Sequence, residues 1–179
     1  NTPVVDKVVT VVGEVNNPIT VRVPLGTPLG EVVAMAGGEK AVEKRSGAAG
    51  LDDAHELVYL VGGPMMGRLG TRYDPVTRTT NAILILPKEH QIIQKKLMPA
   101  SIGMKRAASS CCQCRTCTDL CPRHNLGHPI EPHRFMQAMS NHEYSDLDAF
   151  LNLFFCSSCG LCEMFSCPQV LSPRYLRAV

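Results

Sequence analysis

Residues 111–122 read Cys111-Cys112-Gln113-Cys114-Arg115-Thr116-Cys117-Thr118-Asp119-Leu120-Cys121-Pro122. Residues 156–168 read Cys156-Ser157-Ser158-Cys159-Gly160-Leu161-Cys162-Glu163-Met164-Phe165-Ser166-Cys167-Pro168. The first is C-x2-C-x2-C-x3-C-P, a spacing that binds [4Fe-4S] clusters, and the second differs from it by one inserted residue. A cubane takes one thiolate per iron. The x2 spacing lets a tight loop wrap three corners, and the fourth cysteine follows a few residues later. Two such strings in one chain point to two [4Fe-4S] clusters.

In two-cluster bacterial ferredoxins the fourth cysteine of each string ligates the other cluster. If that exchange applies here, the first cluster takes Cys111, Cys114, Cys117 and Cys167, and the second takes Cys156, Cys159, Cys162 and Cys121. Two other chemistries of cysteine fit less well. Structural zinc uses C-x2-C as two separated pairs, and triplets closed by Cys-Pro do not divide that way. Disulfide scaffolds are short and secreted, whereas this chain of 179 residues has nine cysteines and no signal-like start. Cys112 is the ninth. Taking it in place of Cys111 breaks the x2 register, so it is read as a non-ligand packed near the cluster.

Composition excludes some classes of function. The chain is 45% hydrophobic and 19% charged, with a net charge of +2. These are globular values that argue for neither nucleic acid nor an anionic surface as a partner. No stretch approaches the ~18 apolar residues of a membrane span. Free thiolates imply a reducing compartment. Lys95, Lys96, Lys105, Arg106, Arg115 and Arg123 gather near the first string. They form either a solvated basic face or cations that raise a cluster's potential.

The N-terminal half alternates strands with one helix. Val8–Val12 is a β-branched run ended by Gly13, Asn16-Asn17-Pro18 is a turn cluster, and Ile19, Val21 and Val23 alternate with polar residues. Thr27 suits an N-cap and Pro28 a first helical position. Leu29, Val32, Val33 and Ala36 then fall at i, i+3, i+4 and i+7, and Gly37-Gly38 ends the helix. Leu57–Val61 and Ile83–Leu86 read as buried strands. This order predicts a β-grasp, an α+β sheet crossed by one helix. Gly62-Gly63-Pro64-Met65-Met66-Gly67 has neither a dinucleotide-binding nor a P-loop spacing and is read as a tight surface turn. Asp53 and His55 match the start of a corrinoid-ligating D-x-H-x-x-G pattern, but Val58 stands where its glycine belongs.

Pro87–Ser110 changes character, with several lysines, Pro99, Gly103 and Ser109-Ser110, and is read as a linker in which Ile92, Ile93 and Leu97 make a short helix. The 34 residues between Cys121 and Cys156 are too many for a bare loop. Pro132 opens one helix there, with Phe135, Met136 and Met139 inward. Ser145 and Asp148 suggest a capping box for another, with Leu147, Phe150, Leu151, Phe154 and Phe155 on its apolar face. His124, His128, His133 and His142 are read as satisfied or solvent-facing, because eight cysteines leave no ligand position vacant. The resulting fold class is α+β. A β-grasp domain over 1–87 is followed by a linker over 88–110 and an α-helical two-cluster ferredoxin domain over 111–179.

Val8–Gly38 resembles the SLBB (soluble-ligand-binding β-grasp) domain. Gly62–Gly67, Thr79-Thr80-Asn81-Ala82-Ile83 and the order of the two cysteine strings resemble the RnfC/PduS-type family. Cys117–Arg123, Leu126-Gly127-His128, Pro132-His133 and Leu171–Arg174 are more similar to its PduS-type branch, the cobalamin reductases of propanediol-utilisation microcompartments. The resemblance implies an upstream domain carrying FMN and NADH that has no counterpart in this sequence. With a start at Asn1, the chain is then expected to be a fragment. It further implies an oxidoreductase, of which this part carries electrons from NADH and flavin through the clusters to cobalamin. No residue here is a candidate acid, base or nucleophile. Implied partners are the flavin/NADH domain, a corrinoid or corrinoid-handling enzyme, and microcompartment shell proteins, in the cytoplasm. The alternatives are an RnfC-like subunit of a membrane ferredoxin:NAD oxidoreductase and a non-redox β-grasp ligand-binding module with a structural metal.

Overall fold

The alternating β-branched segments form one mixed sheet in the computed structural model, which describes residues 3–40, 56–143 and 145–177. The chain divides into two units, Asn1–Leu97 and Met98–Val179. The first holds β1 (Asp6–Gly13), β2 (Ile19–Pro24), α1 (Leu29–Met35), β3 (Leu57–Val61), β4 (Arg68–Gly70), β5 (Ala82–Pro87) and α2 (Gln91–Leu97). Strand order is β2-β1-β5-β3-β4. β1 and β5 run parallel, and the other pairs are antiparallel.

The sheet is built on alternation. Val9 and Val11 of β1, Ile83 and Ile85 of β5, and Tyr59 and Val61 of β3 turn to one face. There they meet Leu29, Val32, Val33 and Ala36, the predicted stripe of α1. Gly13 lets β1 end against β5. Its φ is +102°, and a Cβ there would lie 2.1 Å from the Ile85 carbonyl oxygen.

The start of α1 differs from expectation by one residue. Pro28 is the N-cap, with extended backbone, while Thr27 donates its hydroxyl to the Pro24 carbonyl. The first free N–H groups of the helix, of Leu29 and Gly30, instead donate to the carbonyls of Asp74 and Arg72. A loop therefore does the work of a side-chain cap. Gly62–Gly67 forms the turn between β3 and β4. Gly67 N–H donates to the Gly63 carbonyl over 2.7 Å, and Lys96 Nζ donates to the Gly67 carbonyl over 2.6 Å. Asp53 and His55 lie outside the described residues.

The second unit is helical among its described residues. It contains α3 (Ala100–Ser110), α4 (Thr116–Asp119), α5 (Pro122–Asn125), α6 (Pro132–Asn141), α7 (Leu147–Leu151), a 3-10 turn (Asn152–Phe155), α8 (Leu161–Met164) and α9 (Pro173–Arg177). Its core is small: Ala107 of α3, Phe135 and Met136 of α6, Leu171, and Leu176 of α9. The segment 88–110 thus carries two helices, and the second of them, α3, supplies part of this core. Among the described residues no helix is long and apolar enough to cross a membrane.

The stripe expected from Leu147 to Phe155 divides in two. Phe150 packs on the core together with Leu153, which the stripe did not include, whereas Leu147, Leu151, Phe154 and Phe155 are exposed, Phe154 by 85%. Asp146, not Ser145, caps α7 by accepting from Ala149 N–H. Ser145 bonds Glu143 instead. The change to 3-10 winding after Leu151 then alters the period, so a 3.6-residue stripe cannot stay on one face.

Candidate metal centres

Each cysteine string leaves the C-terminal end of a helical segment. Cys111 closes α3 with φ −72° and ψ 108°, and Cys156 closes the 3-10 turn with φ −70° and ψ 124°. From there the two loops follow the same course. The second residue after the first cysteine has positive φ in both, Gln113 at 53° and Ser158 at 55°. So does the residue after the second cysteine, Arg115 at 66° and Gly160 at 81°, and each is the N-cap of the short helix that carries the third cysteine. Left-handed conformation is costly for residues other than glycine. Its recurrence at matched positions shows that the loop geometry, not local preference, fixes these residues.

The loops curl the thiols inward. Gln113 N–H and Ser158 N–H each donate to the sulfur of the first cysteine in their loop, the latter over 3.3 Å. Cys111, Cys114 and Cys117 line one partly open cavity, and Cys167 from the second string joins them. The empty volume is about 380 Å³, counting solvent at the mouth. Met136, Leu171 and Pro173 give it apolar walls, and Cys111 and Cys167 both pack against the helical core. Among the described residues no three His, Cys, Asp or Glu side chains converge as on a single ion. The four thiols surround a space rather than a point.

Burial dominates the electrostatics. It pushes the Cys117 thiol up to about 12, with the charges of Cys111 and Cys114 adding to the rise, and it raises Cys111 as well. Burial also pushes Cys162 up to about 12, followed by the charges of Glu163, Cys156, Cys117 and Cys159. Cys114 is the exception. It is exposed, and the Thr116 hydroxyl and backbone hold it below the usual thiol range. Half-buried thiols this close together resist ionisation unless a cation compensates them. An iron–sulfide core supplies that compensation, so the donor set fits the group.

The second triplet is arranged by α8 and α9. Cys162 neighbours Cys156 and Cys159, and also Cys117 of the first string, across the packed helices α4 and α8. Glu163, 6% exposed, pairs with Arg174 over 2.8 Å. Arg177 Nη2 donates to Ser158 Oγ over 2.9 Å, so α9 braces the second loop. Cys121 is half-buried at the start of α5. Cys112 lines the first cavity but is exposed rather than packed. The non-glycine left-handed positions escaped sequence reading, although Gly160, aligned with Arg115, hinted at one of them.

Three of the four histidines between the strings have structural partners. His133 Nδ1 bonds the buried Thr118 hydroxyl over 2.8 Å, and burial holds its pKa below the usual histidine value. His124 Nδ1 bonds the Ile130 carbonyl, and His128 stacks on Phe155. His142 is exposed at the end of α6.

Comparison with known proteins agrees with this division. Residues 8–69 match the SLBB domain family, and residues 110–172 match the 4Fe-4S dicluster domain family. The chain is 42% identical to "Cobalamin reductase PduS" of Salmonella typhimurium over 172 residues, covering 96% of the chain and 35% of the relative. It is 41% identical to the protein of that name from Citrobacter freundii over the same coverage. It is 30% identical over 125 residues to a subunit of the ion-translocating oxidoreductase complex of Methanosarcina acetivorans, covering 69% of the chain and 22% of the relative. The chain therefore spans about a third of the length of the cobalamin reductases it matches. The chain thus joins an SLBB segment to a 4Fe-4S dicluster segment, and it is similar both to the cobalamin reductases and to the subunits of ion-translocating oxidoreductase complexes.

Proposed function

We propose that the chain is the electron-transfer segment of an NADH- and flavin-dependent cobalamin reductase. Its first unit would be an SLBB-type β-grasp, a reading supported by the strand order β2-β1-β5-β3-β4 with one packed helix. Residues 1–87 would form that domain, 88–110 a helical connection and 111–179 the dicluster domain. The observation that carries the function is the cavity in which Cys167 meets Cys111, Cys114 and Cys117. Cys167 lies 50 residues beyond Cys117 in sequence yet shares one space with it, as the exchanged ligation requires. By the same exchange Cys121 completes the set of Cys156, Cys159 and Cys162.

A bound [4Fe-4S] cluster supplies one-electron uptake and release. The residues of this chain hold it, exclude water on the Met136 and Leu171 side, and donate hydrogen bonds to sulfur. Cys117 and Cys162, neighbours on packed helices, make the two sites adjacent, which suits a relay. FMN and NADH would bind a separate domain of the whole protein, and cobalamin would be the acceptor. These assignments, with a corrinoid-handling enzyme and microcompartment shell proteins as cytoplasmic partners, are supported by likeness to the cobalamin reductases. The likeness to a component of an ion-translocating oxidoreductase complex supports a second reading, a peripheral subunit feeding a membrane complex. Co-purification with membranes rather than shell proteins would favour it.

The test is iron and acid-labile sulfide analysis of anaerobically prepared protein, for which two clusters require about eight irons per chain. One or two zinc ions without sulfide would end the proposal. Cys167→Ser should abolish the electron paramagnetic resonance (EPR) signal of the centre built on Cys111, Cys114 and Cys117, not that of its own string. Cys112→Ser should leave both signals intact.

A further inference from the structure

The two cysteine loops share a backbone course but not the side chains that reach sulfur. At the first, Gln113 Nε2 donates to Cys111 Sγ over 3.2 Å, and Thr116 Oγ1 donates to Cys114 Sγ over 3.3 Å. The matching positions in the second loop are Ser158 and Leu161. The Ser158 hydroxyl accepts from Arg177 Nη2, and leucine has no donor. The backbone N–H bonds from residues 113 and 158 are common to both loops and cancel in a comparison. Leu171 N–H adds a further donor at Cys167 Sγ, 3.4 Å away, on the first side. Exposure acts in the same sense, since Cys114 is exposed whereas Cys156, Cys159 and Cys162 are all partly buried.

Reduction adds negative charge to a body whose sulfurs are already electron-rich. A donor hydrogen aimed at such a sulfur stabilises the reduced state more than the oxidised one, and solvent does the same. Resting on the two-cluster reading above, we propose that the first centre has the higher reduction potential, and that Gln113 and Thr116 are the residues that set the difference. They are positioning residues. They touch the ligands, and their effect is on potential rather than on assembly. At equilibrium a single electron shared by the two centres resides at the Cys111–Cys114–Cys117 site, which opens to solvent at Cys114.

An anaerobic redox titration of the loaded protein, followed by EPR, tests this. Two midpoints are expected. Thr116→Val should lower the higher one and leave the other in place. A tenfold change in the partition of the shared electron reads as about 59 mV for a one-electron couple. Thr116→Ser, which keeps the hydroxyl, should restore the original midpoint, and a structural role for the Thr116 methyl would not give that rescue. Gln113→Leu should act in the same direction as Thr116→Val. Leu161→Thr adds a donor to the second loop and should raise the lower midpoint, so the inference stays testable even if the first loop tolerates no change. Movement of the lower midpoint by Thr116→Val, or no movement of either in the intact protein, overturns the proposal. Iron and sulfide too low for two clusters in the unsubstituted protein would instead overturn the underlying reading, and the inference with it.

Discussion

The two units of this chain are held together in different ways. In the first, thirteen residues of a continuous apolar cluster are buried between a five-stranded sheet and one helix, and nine of them are 1% exposed or less. The second has five such residues, and nine half-buried or exposed cysteines beside them. Its helices α4, α5 and α8 have four residues each, too short to be stable alone. A sheet can close on its own apolar face, whereas loops of this kind need something to hold their thiols. One half of the fold thus follows from burial and the other from ligation.

Removing the iron and sulfide with chelator and oxidant gives the largest contrast. Hydrogen exchange should show lost protection in α3, α6 and α8, while β1 and β5 keep theirs. Uniform retention in both units would erase the distinction. Next is Glu163→Gln, which removes the buried carboxylate and leaves the partly buried Arg174 without its counter-charge. The expected loss is about 3–5 kcal/mol in the helical unit, read by thermal unfolding of the loaded protein. In the sheet unit, Ile85→Ala should cost about 2–5 kcal/mol in a denaturant titration with iron content unchanged. A fall in iron would mean that the units are not independent.

The smallest effect is confined to alkaline pH. Burial, then the hydrogen bond to Glu39 and its charge, pushes Tyr59 up to about 12 from its ordinary 10.0. Between those values the unfolded chain releases a proton that the folded chain keeps. The stabilisation is complete below pH 10 and is lost as pH rises through 12. Tyrosinate absorbance should show this late ionisation, and Glu39→Gln should bring it earlier.

Legibility followed the same division. Strands β1, β2, β3 and β5 and the face of α1 could be read from alternation and from the i, i+3, i+4, i+7 pattern. Strand β4 could not, because Arg68–Gly70 is three residues with no period of its own. Helix α3 looked like a linker because Gly103, Ser109 and Ser110 lower its helix propensity. It forms because Ala107 and Met104 find partners on α6 and α9. The face of α7 was misread because a cap at Asp146 and a change to 3-10 winding shift its register. The cysteine triplets were plain, since x2 spacing is a local demand of cubane ligation. Their left-handed residues Gln113 and Arg115 were hidden, since neither is of a type that favours that conformation.

The sequence by itself determined the thiol spacing within each string and the strand and helix periods of the N-terminal half, because spacing acts within a few residues. The tertiary structure decided that Cys167 joins the cavity of the first string, that Thr116 and Gln113 point at sulfur while Leu161 cannot, and that Phe154 faces outward. Each of these depends on how α3, α6, α8 and α9 pack, and packing joins residues whose separation along the chain carries no local signal.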